Sequence, residues 1–218
     1  MLYKNTYMKY NISIKVIEVS YMDNKKKLEK LIQEQNGTVL ASDLETYNIP
    51  RTYLSIMVAE GSLEKTERGI YVSTNSIEDE MFAMQRKYNK LIYSHETALF
   101  IHGISDRTPD AYSASVPSGY KVVEKISDKF KIYYIRKDLH AMGVIKSKTS
   151  FGNEISVYSI ERTICDVIRS RNRMDIQIVN DAMKRFVKIK SVDYSLLNAY
   201  ARELRIESVL RNYLEVLL

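Results

Sequence analysis

A mixed α/β (α+β) chain in two parts is the fold class this sequence predicts: helices and a hairpin first, then a larger mixed α/β part that ends in several helices. Three observations carry it. A length of 218 residues suits two domains better than one or three. Residues 23–75 place apolar side chains at helical spacing and close on two short strand-like runs around a glycine. Beyond residue 76, short alternating segments give way to four amphipathic helical runs.

The elements follow in order. Asp23 to Asn36 reads as a helix with an Asp N-cap, a lysine run, and Leu28, Leu31 and Ile32 on one face; Gly37 stands where a left-handed closing residue belongs. Thr38-Val39-Leu40 is a short apolar link, and Ser42 with Glu45 forms a capping box that opens a second helix. Asn48-Ile49-Pro50 breaks it, Pro50 sits well as the first residue of a third helix over Arg51 to Glu60, and Gly61 ends that helix. Leu63 to Thr66 and Ile70 to Ser73 are two strands around Glu67-Arg68-Gly69. Helix, short helix, helix, hairpin in about fifty residues is the winged helix-turn-helix order.

From Ser76 the texture changes, so the second domain is taken as 76–218. Ile77 to Lys90 is a connecting helix; Ser94 caps another that runs to Gly103. Strands are expected over Ala111 to Val116, Phe130 to Ile135 and Ile155 to Tyr158. Helices then cover Ile160 to Arg171, Asp175 to Val187, Tyr194 to Leu204 and Ile206 to Leu217.

Residues 1–22 form an N-terminal extension. They lack the apolar core and cleavage site of a signal peptide. Met22 is a possible true start: Glu18-Val19 can be written GAGGUN, a ribosome-binding sequence, shortly before it. The alternative is a short extra strand, since Ile12, Ile14 and Val16 alternate.

Composition narrows the function. No run of about 18 apolar residues occurs, so no membrane span is expected. The single cysteine, Cys165, excludes an intramolecular disulfide framework and a multi-thiolate metal site, and fits a reducing cytoplasm. The net charge of +6 permits a polyanionic partner. It is unevenly spread: residues 23–75 hold seven Lys/Arg against eight Asp/Glu, so a basic face there must arise from local arrangement.

Catalysis is not expected. His95 and His102 are seven apart on one predicted helix, about 10 Å along its axis, too far to share a metal ion. Cys165 lies in an apolar helix as a buried thiol, and Asp166 beside it is read as a surface ion-pair partner. The glycines make no phosphate loop. Ser94-His95-Glu96 resembles a triad in text alone, because consecutive helical residues point in different directions. No cofactor and no metal are anticipated.

DNA binding has a better basis. In a winged helix-turn-helix the first turns of the recognition helix reach base edges, here Arg51, Thr52, Tyr53 and Ser55, with Leu54, Met57 and Val58 facing the core. Arg51 can fork onto guanine O6 and N7, although a solvated arginine at a helix start would look the same. Lys65 and Arg68 on the wing, and Lys25, Lys26 and Lys27 on the first helix, suit phosphate contacts; for the lysine run an ordinary solvated face is the alternative. In the second domain Arg162, Arg169, Arg171 and Arg173 gather near one helix, with Arg162 and Arg169 on one face, and Lys184 and Arg185 follow on the next. They could meet an acidic partner or form a solvated basic face.

Three strings, GTVLASDLETYNIPRTYLSIMVAEGSLEKTERGIYV, SHETALFIHGISDRTPDAYSASVPSGY and VYSIERTICDVIRSR, resemble the AbiEi family of abortive-infection proteins, the antitoxins of type IV toxin–antitoxin systems. With the C-terminal helices the resemblance covers nearly everything from about residue 23. It implies a bifunctional protein: an N-terminal winged helix that represses its own operon by binding inverted repeats, and a C-terminal antitoxin domain. The implied functional partner is a nucleotidyltransferase-like toxin, counteracted without a stable complex. His95, Glu96, Arg107, Glu161, Arg162 and Asp166 are polar members of these strings, equally explained as caps and internal ion pairs. A plain transcriptional regulator with a sensor or assembly domain is the alternative, and an enzyme carrying a DNA-targeting module the other.

Overall fold

In a computed structural model, residues 21–122 and 129–217 are described; the reading of residues 1–20 as a mis-set start or an extra strand lies outside them. The chain divides into two compact units, one running to Lys87 and including Ser150–Asn153, the other comprising Tyr88–Thr149 and the rest from Glu154.

The first unit opens with α1, described over 21–34. Its closing turn has Asn36 and Gly37 at positive φ (50° and 94°), and a Cβ on Gly37 would lie 2.2 Å from the Ser76 hydroxyl oxygen, so glycine is required there. Thr38–Leu40 is not a mere link but strand β1, which pairs antiparallel with β3. α2 (Asp43–Thr46) is a single turn and α3 spans Thr52–Ala59. Pro50 therefore precedes α3 rather than starting it, with Arg51 at the N-cap. The expected capping box at Ser42 does not form: Ser42 is itself helical and its side chain caps nothing. The buried Asp43 carboxylate accepts from Leu40 N (3.4 Å) and Gln35 Nε2 (3.2 Å) and pairs with Arg86.

β2 (Leu63–Glu67) and β3 (Ile70–Ser73) form the hairpin, with a register shift between Lys65 and Glu67 and Gly69 at φ 83° in the turn. The sheet order is β1-β3-β2. Leu28, Leu31 and Ile32 of α1, Leu44 of α2, Tyr53, Leu54 and Met57 of α3, and Leu63 of β2 bury against one another. α4 (Glu80–Lys87) is shorter than the expected connecting helix and belongs to this unit. The reason is polar: Asp79 accepts from Phe82 N (3.1 Å), donates its own N–H to Thr38 Oγ1 (3.0 Å), and accepts from Asn153 Nδ2 (2.8 Å). The division thus falls at Lys87, where the change of texture had placed it after residue 75.

The second unit is a five-stranded mixed sheet with helices. Its strands are β4 (Ile92–Tyr93), β5 (Tyr112–Pro117), β6 (Phe130–Ile135), β7 (Val144–Lys148) and β8 (Glu154–Tyr158), ordered β6-β5-β4-β8-β7. β5 and β6 run parallel, as do β4 and β8; β4–β5 and β7–β8 are antiparallel. The helices are α5 (His95–Ile101), α6 (Ile160–Arg169), α7 (Ile176–Phe186), α8 (Tyr194–Glu203) and α9 (Glu207–Leu217). The starts of α6, α7 and α8 are fixed by side-chain caps: Ser159 accepts from Arg162 N, Asp175 from Gln177 N and Asp193 from Leu196 N. α6 is the hub, every residue from Arg162 to Ile168 being buried, in a core shared with Val179, Met183 and Phe186 of α7, Leu197 of α8 and Leu210 of α9.

Among the described residues no helix is long and apolar enough to cross a membrane.

Candidate nucleic-acid interface

α3 is held by its inner face, and its outer face is what remains to act. Arg51, Thr52 and Ser55 are exposed, with Val58 and Ala59 following one turn on. Two expectations fail. Tyr53 is only 8% exposed and sits in the core, its ring 5.5 Å from that of Tyr21 of α1, so it cannot reach a base. Val58, expected inside, is 37% exposed. Both errors come from one rotation of the helix: the buried stripe is 53, 54 and 57 rather than 54, 57 and 58. The packing partner that draws Tyr53 inward, Tyr21, lies in the segment assigned to the N-terminal extension.

Arg51 is exposed, and its Nη2 donates to Glu45 Oε1 at 2.5 Å. This pair is open to solvent and worth little, so an anion can displace Glu45 cheaply. Lys65 and Arg68 are exposed on β2 and at the hairpin turn, and neither has an ion-pair partner among the described residues. Glu67, which lies between the two in sequence, pairs with Lys87 at 3.0 Å. The three lysines of α1 part ways. Lys26 is exposed; Lys27 reaches Asp23 at 2.6 Å; Lys25 is half-buried and donates to Glu60 Oε2 at 2.6 Å, tying α1 to the end of α3. That bond raises the Lys25 pKa and lowers that of Glu60. Lys25 is thus a structural tie rather than a free phosphate contact.

The second-unit cations also separate. Arg162 is not on a surface: it is fully buried, with Nε on Asp166 Oδ2 (3.1 Å), Nη1 on the carbonyls of Leu139 (2.9 Å) and Met142 (2.7 Å), and its guanidinium 4.2 Å from the Tyr158 ring. Arg162 and Arg169 therefore do not share a face, and Asp166 is not a surface ion-pair partner. Burial pushes the Asp166 carboxyl up to about 6 despite Arg162. Arg169, Arg173 and Lys184 are exposed, Arg171 donates to Ile168 O (3.1 Å), and Arg185 donates to Asp106 Oδ2 (2.5 Å). Cys165 is buried with its thiol pushed up to about 12, so it holds no thiolate at neutral pH.

One cluster departs from the expectation that the consecutive residues Ser94 and His95 point apart. His95 has φ 48°, so it is not an ordinary helical residue, and its side chain does meet that of Ser94: Nδ1 lies 2.9 Å from Ser94 Oγ. Ser115 donates to Ser94 Oγ (2.9 Å), and His95 Nε2 lies 3.0 Å from Ser170 Oγ. Ser94 thus serves this line instead of capping α5. Among the described residues no carboxylate backs the imidazole; Glu96 instead pairs with Lys131 at 3.3 Å. Burial and the charges of Arg162, Lys131, Arg173 and Arg169 hold His95 well below its usual pKa, as a neutral ring. These residues come from positions far apart in the chain, yet Ser94, His95, Ser115 and Ser170 all fall within the quoted strings.

The first unit thus joins helices to a three-stranded antiparallel sheet, and the second is a mixed α/β domain. Residues 26–74 match the family model described as "Transcriptional regulator, AbiEi antitoxin", so the AbiEi resemblance is borne out by an independent match over this segment. Among solved structures, the chain is similar to the crystal structure of the RV2827C protein from Mycobacterium tuberculosis, at 9% identity and a TM-score of 0.47, over 84% of this chain and 81% of that one. Comparison with curated proteins finds no match.

Proposed function

We propose that the chain is a repressor and antitoxin: its winged helix binds inverted repeats in its own promoter, and its second unit counters a nucleotidyltransferase-like toxin. The observation that carries the reading is the exposed row Arg51, Thr52 and Ser55 on α3, inside a segment matching a transcriptional-regulator model. A helix held by one face, with short polar side chains and an arginine on the other, suits the major groove: the arginine forks onto guanine and the hydroxyls bond bases or phosphates. Lys65 and Arg68 on the hairpin and Lys26 on α1 supply phosphate contacts. The chain catalyses no reaction in this reading, and it acts in the cytoplasm in abortive phage infection, without a stable complex with the toxin.

The test is growth during induction of the neighbouring nucleotidyltransferase-like gene. Full-length chain and its Arg51→Ala variant should both restore growth, while the variant alone loses repression of a promoter reporter. Failure of both to rescue removes the antitoxin half; equal repression by both removes Arg51 from the DNA contact.

A further inference from the structure

Residues of α7 and α9 enclose a groove of about 390 Å³ in the second unit. Met183 of α7 and Tyr213, Val216 and Leu217 of α9 make its apolar walls. Met183 is fully buried and belongs to the core around α6, so the groove reaches down to that core. Val216, by contrast, is 84% exposed. Apolar surface of this kind beside an open groove is covered at a gain in free energy.

The rest of the lining is polar and exposed: Asn180 and Lys184 of α7 and Asn212 of α9. Among the described residues Lys184 is the one charge in this lining, and neither it nor the two asparagines has a side-chain partner. Its neighbour Arg185 is held by Asp106 at 2.5 Å, whereas Asp181, three residues earlier on α7, does not come within ion-pair distance of Lys184. The character is local to this side of α9. A second groove, lined by Glu207, Arg211 and Glu215 of α9 and by Asn198 of α8, carries charges of both signs.

Size and charge together choose the occupant. The volume falls in the range of small-molecule sites, about 300–1,000 Å³. The walls draw on 180–184 of α7 and 212–217 of α9, less than two turns of either, which is short for a partner helix with anchors at i, i+3, i+4 and i+7. A second copy pressing an apolar face here would bury an ammonium and two amides without partners, at a cost. A small anion with an apolar tail uses both kinds of lining. We propose that this groove binds a monocarboxylate with an aliphatic tail. The tail lies against Met183, Tyr213 and Leu217; the carboxylate accepts from the Lys184 ammonium and from an Asn180 or Asn212 amide. One ammonium neutralises one carboxylate, and a lysine stem can lie along apolar surface with its charged head at the rim. The groove lies wholly in the second unit and does not rest on α3 reading DNA.

Isothermal titration of the full chain with sodium octanoate tests it, with 1-octanol as the neutral analogue of the same length. The parent should bind one octanoate per chain, at least tenfold more tightly than octanol. Lys184→Gln should bring octanoate down to the level of octanol, and Val216→Glu, which puts a carboxylate at the groove, should abolish both. Both side chains are exposed, so the two variants should keep the unfolding midpoint of the parent. Absence of saturable octanoate binding, octanol binding as tight as octanoate, or octanoate binding that survives either substitution overturns the site. A parent that sediments as a dimer, is made monomeric by Val216→Glu and binds no octanoate overturns it too, and gives the groove to a second copy.

Discussion

At Tyr53 the burial of a single ring decides what α3 can present. With the tyrosine against Tyr21 and the α1–α3 core, the outward residues are Arg51, Thr52 and Ser55. Tyr53→Phe should therefore leave operator affinity within about twofold, whereas Tyr53→Ala should cost about 3–5 kcal/mol of folding stability by opening a cavity. Fluorescence anisotropy and urea denaturation on the same samples check both; a weakened complex in Tyr53→Phe at unchanged stability would put the hydroxyl on the DNA. Arg162 is the opposite case, a charge expected outside and found inside. Its partner Asp166 has a folded pKa raised to about 6 from 3.8, so the folded chain binds that proton more tightly than the unfolded one. The associated stabilisation is present below the unfolded value and fades as pH rises through about 6. Arg162→Met removes the charge that holds Asp166 down, raising its pKa further. The loss should thus be about 3–5 kcal/mol at pH 8, where the bare carboxylate is buried, and clearly smaller at pH 5, where it is protonated. Denaturant titrations at the two pH values measure this, and an equal loss at both would show that Asp166 does not respond to Arg162.

Among elements, those with a full period or a cap could be read from sequence, and those made by distant pairing could not. α1 and α6 to α9 carry apolar side chains at helical spacing; Asp175 and Asp193 cap α7 and α8 as their residue types suggest. The hairpin announced itself through Gly69 between two short strand-like runs. β1 has only three residues and is a strand because β3 pairs with it. β4 has two residues, and β7 is an edge strand whose half-exposed VIKSK lacks a clean alternation. The same reasoning applies to function. Arg51, Thr52 and Ser55 were legible from helix position, whereas Tyr53 and Val58 were not, because packing against Tyr21 helps to set the rotation of α3. The Ser115–Ser94–His95–Ser170 line was not: it needs a left-handed histidine and two hydroxyls brought from β5 and the end of α6.

For the molecule as a whole, charge arrangement matters more than charge total. The first unit has almost balanced charge, yet many of its carboxylates are engaged: Glu60 by Lys25, Asp43 by Arg86, Glu67 by Lys87 and Asp23 by Lys27. Lys26, Lys65 and Arg68 remain exposed and, among the described residues, without ion pairs, so a near-neutral unit still offers a few unpaired cations. The claim on which the repressor reading turns is that α3 reads bases with its outer face. The most direct measurement is the affinity of the full chain and of Arg51→Ala for a labelled fragment of its own promoter, against a scrambled fragment at the same salt concentration. The parent should prefer the promoter fragment, and the variant should lose about 1–3 kcal/mol of that binding while keeping its weak affinity for the scrambled one. Equal binding of the two fragments by the parent, or an unchanged affinity in the variant, would contradict it.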